Sequence, residues 1–233
     1  MLKKYKQILS DLRIGQISLQ DFLYKEEKDG KGYSIDKNSI KRFQLLIALQ
    51  FDRKSDDEVI LVELFKAEIE RHKKSTSQGL HPALRLNAFL VSQYLNPEYA
   101  ILHLEAKRAS FDTHGGLDYQ FLVSAGISET YQFFQVENHE LAGEFYGYMG
   151  ESVDRCFVSE SELLEWWNSM KREYPEELII NDIRDEIDLA IALNEMEILK
   201  EKIKEWSEGT SSWNKLDLIQ LSFYQSLVED VSG

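Results

Sequence analysis

The sequence contains little cysteine or proline and no long uninterrupted hydrophobic run. Its one cysteine, Cys156, cannot close an intramolecular disulfide, and the lysine-rich residues 1–7 are followed by neither a long apolar core nor a small-residue cleavage site. Charged or amide residues break every apolar stretch before the roughly 18 to 20 residues that are needed to span a bilayer. We therefore expect a cytoplasmic protein that does not enter the membrane.

The scarcity of turn-forming residues bears on the fold class. Among 233 residues there are 3 prolines and 12 glycines, whereas Leu, Ile, Glu and Lys are frequent. This balance disfavours a turn-dense all-β protein and favours helices joined by short loops. Since 43% of the residues are hydrophobic, the chain can bury a substantial core. The sequence predicts an all-α protein, with residues 1–233 forming a single helical domain.

Basic residues are missing from one part of the chain. Residues 111–150 contain 6 Asp and Glu but no Lys or Arg. Residues 1–110 carry 19 Lys and Arg against 15 Asp and Glu, and residues 111–233 carry 8 against 26. The change from a neutral or basic half to an acidic half suggests a subdivision of the domain near residues 111–118. An acidic surface repels phosphate backbones, which argues against nucleic acid, and attracts basic proteins; the alternative is that acidity only keeps the protein soluble.

Apolar residues recur at helical spacing along most of the chain. Each stripe predicts one buried helix face, and few stretches show the period-two alternation of a strand. The clearest stripes are Leu61, Leu64, Phe65 and Ile69; Leu163, Trp166, Trp167, Met170 and Tyr174; and Leu216, Ile219, Phe223 and Leu227. Residues 28–32, with two glycines among charges, predict an exposed turn.

Several helix starts are marked by residues that satisfy free backbone groups. Asn96 followed by Pro97 predicts a helix start, because Asn accepts a hydrogen bond as an N-cap and Pro fits the first turn. Ser159 with Glu162 forms a capping-box pattern, and Ser128 is placed to cap the segment that follows it.

The connection between the helix that ends near Leu95 and the next helix is very short. The two helices must therefore fold back as an antiparallel hairpin. The second helix presents Leu102, Ala106 and Ala109 on one face, where small side chains let a neighbouring helix approach closely. This pattern resembles the helical hairpins of tetratricopeptide and HEAT-like arrays. Since successive hairpins do not start at a fixed spacing, we expect an irregular α-α superhelix of antiparallel helical hairpins.

Residues 106–120 form the most distinctive string, AKRASFDTHGGLDYQ. A helix is expected to end here, Gly115 and Gly116 permit positive φ, and another helix follows, so the string predicts a sharp interhelical corner. Asp112, His114 and Asp118 have the chemistry for a metal site or for proton transfer, but helix capping needs the same groups. The string resembles one in uncharacterised bacterial helical proteins, a resemblance that implies no activity.

Other signs of catalysis or cofactor binding are weak. The five histidines never pair at helical metal-ligand spacing, H-E-x-x-H is absent, and no phosphate-binding glycine motif occurs. The sequence thus predicts no metal and no cofactor. Glu137, Glu140 and Glu144 are expected to form an acidic face beside His139, which either binds a cation or is simply solvated.

Aromatic residues complete the candidate surface. Trp166 and Trp167 point about 100° apart on a helix, so both can be buried only if the helix is covered on more than one side, and one of the two is expected to be exposed. Tyr148 lies in the base-free stretch, where aromatics bordered by acids suit an interface with a basic partner; the alternative is ordinary core. The candidate partner-binding residues are Asp112, His114, Asp118, Glu137, Glu140, Glu144, Tyr148 and Trp166.

These observations favour a non-catalytic, protein-binding helical module whose partner is a basic protein or peptide. A sharper hypothesis is an immunity-type protein that neutralises a basic toxin or nuclease. Two alternatives stay open: a regulatory scaffold that binds a peptide, and an enzyme with a dispersed site of Asp, His and Glu around residues 112–144. Helices near the two ends of the sequence either cap the array or pair with a second copy.

Overall fold

The computed structural model describes residues 1–74 and 79–229, and within these ranges the chain forms twelve α-helices and one two-stranded β-hairpin. The helices are α1 (Leu2–Arg13), α2 (Ser39–Asp52), α3 (Glu58–Lys74), α4 (Pro82–Ser92), α5 (Tyr99–Lys107), α6 (Phe111–Gly116), α7 (Ile127–Glu137), α8 (Ala142–Met149), α9 (Glu160–Glu173), α10 (Ile183–Ala192), α11 (Met196–Gly209) and α12 (Lys215–Glu229). Short 3₁₀ turns cover Leu19–Asp21, Ser55–Asp57, Tyr119–Val123 and Val153–Arg155. The all-α prediction is confirmed. Of the helices in the described ranges, none is both long enough and apolar enough to cross a membrane.

A small hairpin precedes α2, formed by β1 (Glu26–Lys28) and antiparallel β2 (Ser34–Asp36). Its turn is built on Asp29, whose carboxylate accepts hydrogen bonds from the backbone N–H groups of Lys31 and Tyr33, both over 2.8 Å. The turn is mostly exposed, as the sequence predicts for residues 28–32. Sequence patterns do not predict the two strands, because three residues are too few to show period-two alternation.

A buried ionic cluster joins this hairpin to α2 and α3. The Arg42 guanidinium donates from Nε to Glu68 over 2.6 Å and from Nη1 to the Phe22 carbonyl over 3.0 Å, and it also donates to Asp36. The side chains of Arg42, Asp36 and Glu68 are fully buried. Since buried charges are tolerated only when they are paired and hydrogen-bonded, the cluster fixes β2 against the two helices.

Of two predicted N-caps, one is confirmed and the other is wrong. The capping box of Ser159 with Glu162 is confirmed at the start of α9. The prediction for Ser128 is wrong, because α7 already begins at Ile127. The residue before it, Gly126, adopts a φ of +119°, a conformation that glycine adopts without steric cost.

α4 and α5 pack against each other across a short connection. α5 begins at Tyr99, two residues later than the predicted start at Pro97. The Asn96 side chain accepts a hydrogen bond from the backbone N–H of Glu98 over 3.1 Å, so Asn96 holds a turn that leads into the helix rather than capping the helix itself. The stacking of successive helix pairs into an α-α superhelix stays a prediction.

Most of the helices share one hydrophobic core. Its buried residues run from Tyr5 to Leu193 and come from both sides of residues 111–118, where the subdivision of the domain stays a prediction. A second, smaller cluster lies among α10, α11 and α12. It consists of Ile187, Ala190, Leu199, Ile203, Trp206 and Tyr224.

The predicted helix faces are buried in α3 and mostly in α9, but not in α12. The α3 stripe from Leu61 to Ile69 is buried, and in α9 Trp166 is buried whereas Trp167 is half-buried. In α12, Leu216 and Phe223 are 76% and 56% exposed, so the predicted burial of this stripe is wrong. The reason is that α12 turns a different face, marked by buried Tyr224, toward its neighbours.

Candidate functional site

Two helices meet within residues 106–120, as the sequence predicts, but capping rather than glycine shapes the connection. α6 begins after Ser110, which forms a capping box with Thr113. Gly115 and Gly116 lie inside α6, and neither has a positive φ. The positive φ that these two glycines permit is therefore not used.

Lys107, the last residue of α5, holds the connection closed. Its ammonium group donates hydrogen bonds to the carbonyl oxygens of His114 and Leu117, over 2.7 Å and 2.6 Å, at the end of α6. The same Nζ lies 3.9 Å from the ring centre of Tyr119, in cation–π geometry. Burial lowers the pKa of Lys107, and the charge of Asp118 offsets part of that effect. The lysine thus supplies the donors that the last carbonyls of α6 lack.

The carboxylate of Asp118 joins α9 to α4. Its Oδ2 accepts hydrogen bonds from Trp166 Nε1 over 2.9 Å and from Arg85 over 3.0 Å. Arg85 also pairs with Glu173. Burial alone would lower the pKa of Arg85, but the hydrogen bonds to Asp118 and Glu173 outweigh it and raise that pKa. Two predicted residues, Asp118 and Trp166, therefore come together, with an arginine that no local sequence pattern points to.

Asp112 and His114, both on α6, have different partners. Asp112 accepts a hydrogen bond from the backbone N–H of Gly79 over 2.7 Å, which ties α6 to the segment before α4. The exposed ring of His114 meets Tyr148 of α8, with 2.9 Å between Nδ1 and the hydroxyl oxygen. The structure thus pairs His114 with Tyr148, and it engages Asp112 with the backbone of the segment before α4 rather than with a helix terminus.

The three glutamates predicted to form an acidic face have different surroundings. Glu144 on α8 pairs with Arg108 at 2.7 Å. Glu137 at the end of α7 and Glu140 in the following loop are exposed. Throughout residues 1–74 and 79–229, no group of three or more His, Cys, Asp and Glu side chains is arranged to hold a metal ion. The joint action of these glutamates stays a prediction.

A surface groove of about 610 Å³ runs along α9 beside the contact of Asp118 with Trp166. Its lining includes Gln120, Glu162, Glu165, Trp166 and Arg172. The indole of Trp166 packs edge-on against the ring of Phe121, with 4.8 Å between ring centres. With its N–H held by Asp118 and its ring held by Phe121, the indole has a fixed position in the groove.

Glu162 and Glu165 supply negative charge to the α9 groove. The backbone N–H and the hydroxyl of Ser159 both donate to Glu162, each over 2.8 Å, and these hydrogen bonds lower the pKa of Glu162. Sequence reasoning uses Glu162 only as part of a capping box and does not select Glu165. The available signal is the spacing of residues 162, 165, 166 and 169, which places them on one helix face.

A larger pocket of about 730 Å³ lies between the hairpin and the end of α3. Its lining includes Tyr24, Glu27, Arg71 and Lys74. Lys74 already pairs with Glu70 at 2.9 Å and lies over the ring of Tyr24. This pocket carries charges of both signs that are partly matched by neighbours, so it favours no ligand of one charge. The α9 groove also holds one base, Arg172, but its two carboxylates outnumber that base and lie beside a fixed indole, so it is the better candidate site.

Comparison of the chain with protein-family models, with curated proteins and with solved structures gave no match. The site is therefore interpreted from its own residues. Its main features are the indole of Trp166, held by Asp118, and the carboxylates of Glu162 and Glu165 in the same groove.

Proposed function

We propose that this protein binds a basic protein or peptide, and that the α9 groove receives a Lys or Arg side chain of that partner. The observation that carries the proposal is the presence of Glu162, Glu165 and Trp166 in one groove. Carboxylates attract a cation, and the part of the Trp166 indole that lines the groove offers an apolar contact to the aliphatic part of a basic side chain, although the residue is only 8% exposed. The combination suits a long basic side chain better than an acidic or apolar one.

The charge around the α9 groove supports the same partner. Residues 111–233 carry 26 Asp and Glu against 8 Lys and Arg. A field of one sign speeds the encounter with an oppositely charged protein, most strongly at low ionic strength. Because Asp118 and Phe121 already hold Trp166, the indole loses little conformational freedom on binding. The negative field thus raises the rate of encounter with a basic partner, and the α9 groove determines where that partner docks.

Within this proposal, the partner is a basic toxin or nuclease that the protein neutralises in the manner of bacterial immunity proteins. Enzymes that act on nucleic acids hold the phosphate backbone with basic surfaces, and an acidic protein docked on such a surface competes for it. We expect a reading frame for a basic toxin beside the gene of this protein, and survival of cells that express both. Cells that die equally with and without this protein would remove the neutralising role.

The groove is tested with a fluorescent lysine-rich peptide as the probe, by anisotropy over a salt series. Glu162→Gln with Glu165→Gln removes both carboxylates, and Gln preserves the capping box. We expect about tenfold weaker binding, the equivalent of two lost ion pairs. The matched control, Glu197→Gln with Glu201→Gln on α11, removes the same charge from exposed positions and should change the affinity less than about twofold.

The comparison of the two double variants decides the proposal. Equal weakening by both would mean that the peptide senses only overall charge, and the groove would not be the docking site. Binding by the unchanged protein that does not weaken as salt rises would contradict the electrostatic basis of the proposal.

A further inference from the structure

α12 carries an apolar stripe that faces solvent. Leu216, Ile219 and Phe223 follow one another at helical spacing, and each is more than half exposed. On another face, Tyr224 packs edge-on against Trp206 of α11 and donates a hydrogen bond to Asp188 of α10 over 2.6 Å. The helix is thus anchored through one face and leaves an apolar face open among the described residues, a feature that marks interaction surfaces in folded proteins.

Most of the α12 stripe lies in an uncharged part of the chain. Leu216 lies between Lys215 and Asp217, but Ile219 and Phe223 lie within residues 218–228, which contain no Asp, Glu, Lys or Arg although the chain carries a net charge of −14. Residues 218–228 therefore offer no carboxylate to a basic partner. Two copies of an acidic protein, however, repel each other wherever their acidic surfaces meet, so a neutral apolar stripe is the surface through which they can approach.

We propose that α12 pairs with α12 of a second copy in antiparallel orientation and forms a two-fold symmetric dimer. A two-fold interface requires a patch that is complementary to itself. In antiparallel register, Ile219 faces the partner's Phe223, and Phe223 faces the partner's Ile219. Both central contacts are apolar, and each helix places its positive dipole end beside the negative end of the other.

The spacing of the stripe also fits a helix pair. Steps of three and four residues, from 216 to 219 and from 219 to 223, are those of the seam between two packed helices. A single stripe of this width is matched by one partner helix rather than by a broad surface. The neighbours Gln220, Ser222 and Ser226 supply a polar but uncharged border.

The mass of the intact protein in solution tests the dimer, by sedimentation or light scattering up to the millimolar range. We expect twice the mass of the chain, and a single-chain mass for Phe223→Lys. Phe223 is exposed, so this variant should keep its fold, which circular dichroism checks. The matched control is Val59→Lys on α3, where an apolar side chain is 70% exposed; it adds the same charge and should leave the dimer intact.

Both lysine variants reduce the net negative charge, so a loss of the dimer in Phe223→Lys alone cannot come from added repulsion between acidic surfaces. A single-chain mass for the unchanged protein at every concentration would overturn the proposal. So would a dimer that survives Phe223→Lys, because another surface would then form it.

The orientation is tested by thiol cross-linking in a Cys156→Ser background. Leu216→Cys and Ser226→Cys lie opposite each other in the antiparallel pair, whereas two copies of residue 216 are separated by about 15 Å along the axis. A short bifunctional thiol reagent should therefore link a mixture of the two variants and should not link either variant alone. Cross-linking of one variant with itself would overturn the antiparallel arrangement.

Discussion

The imidazole of His72 accepts a hydrogen bond at Nε2 from the backbone N–H of His81, with 3.3 Å between the two nitrogens. His81 in turn uses Nδ1 to accept from the backbone N–H of Ala83 over 3.2 Å, and so caps the start of α4. A ring nitrogen can accept only while it carries no proton. The charged groups around the pair are Glu68, Arg71 and Arg42. The folded state thus depends on two uncharged histidines.

We expect the free energy of unfolding to decrease as the pH falls from 6.5 toward about 4. Burial, and then the charge of Arg71, lowers the pKa of His81 from 6.5 to about 4, and burial lowers the pKa of His72. Between these values the unfolded chain binds protons that the folded chain does not, so acid favours unfolding. His81 alone contributes a loss on the order of 2 kcal/mol after solvent screening, and the buried His103, whose pKa burial lowers to about 3, adds to the same decrease. Urea unfolding at neutral and acidic pH measures the total.

A substitution that keeps the N-cap hydrogen bond of α4 but cannot bind a proton isolates the contribution of His81 to the pH dependence. His81→Asn keeps an N-cap acceptor, so it should unfold with a weaker pH dependence than the unchanged protein. The exposed His114 provides the control, and His114→Asn should keep the original dependence. If the free energy of unfolding of His81→Asn depends on pH as steeply as that of the unchanged protein, groups other than His81 cause the dependence.

Removal of Arg42 is expected to be strongly destabilising. Arg42→Met leaves the buried carboxylate of Asp36 without its cation and leaves Glu68 with only Arg71, 3.7 Å away, and such one-sided loss costs about 3–5 kcal/mol. Adding Glu68→Met removes one of the two undercompensated charges and should recover part of that cost. Arg184→Met, at an exposed ion pair, should cost less than about 1 kcal/mol. Denaturant unfolding of these three variants, of Glu68→Met alone and of the unchanged protein gives the comparison. A double variant as unstable as the sum of its two single variants would exclude the coupling.

Lys107 should be needed to close the end of α6. Lys107→Met leaves the carbonyls of His114 and Leu117 without their donor, which should cost about 2–4 kcal/mol because buried polar groups lose their hydrogen bonds. Lys171→Met on α9 removes an exposed lysine and should cost less than about 0.5 kcal/mol. Thermal unfolding compares the two. A similar small loss in both variants would mean that α6 ends without help from Lys107.

The hydrogen bond of Trp166 with Asp118 should appear as an energetic coupling. A double-mutant cycle with Trp166→Phe and Asp118→Ala is expected to give about 1 kcal/mol of interaction energy by denaturant unfolding. Trp166→Phe should also weaken binding of the lysine-rich peptide, since the held indole is part of the groove. A coupling near zero would mean that Asp118 does not hold the indole in place.

Features that depend on a few neighbouring residues were predictable from the sequence. The all-α class, the Ser159 capping box and the exposed turn at residues 28–32 rest on helical periodicity and on local hydrogen bonds. The start of α5 was predicted two residues too early, because Asn96 can either cap a helix or hold a turn before it. The two strands of the hairpin, with three residues each, were too short to show the period-two alternation that predicts a strand.

Local patterns of residues account for the formation of helices and for the acidic residues that gather after residue 110. Which apolar stripes are buried depends instead on the packing of the helices: the stripe of α3 is covered by α4, whereas the equally regular stripe of α12 is left open among the described residues. The candidate site also depends on how the helices pack, because Trp166 and Asp118 are 48 residues apart in the sequence. Periodicity and capping are local interactions, but the meeting of distant side chains depends on how all the helices pack, and no local pattern encodes it.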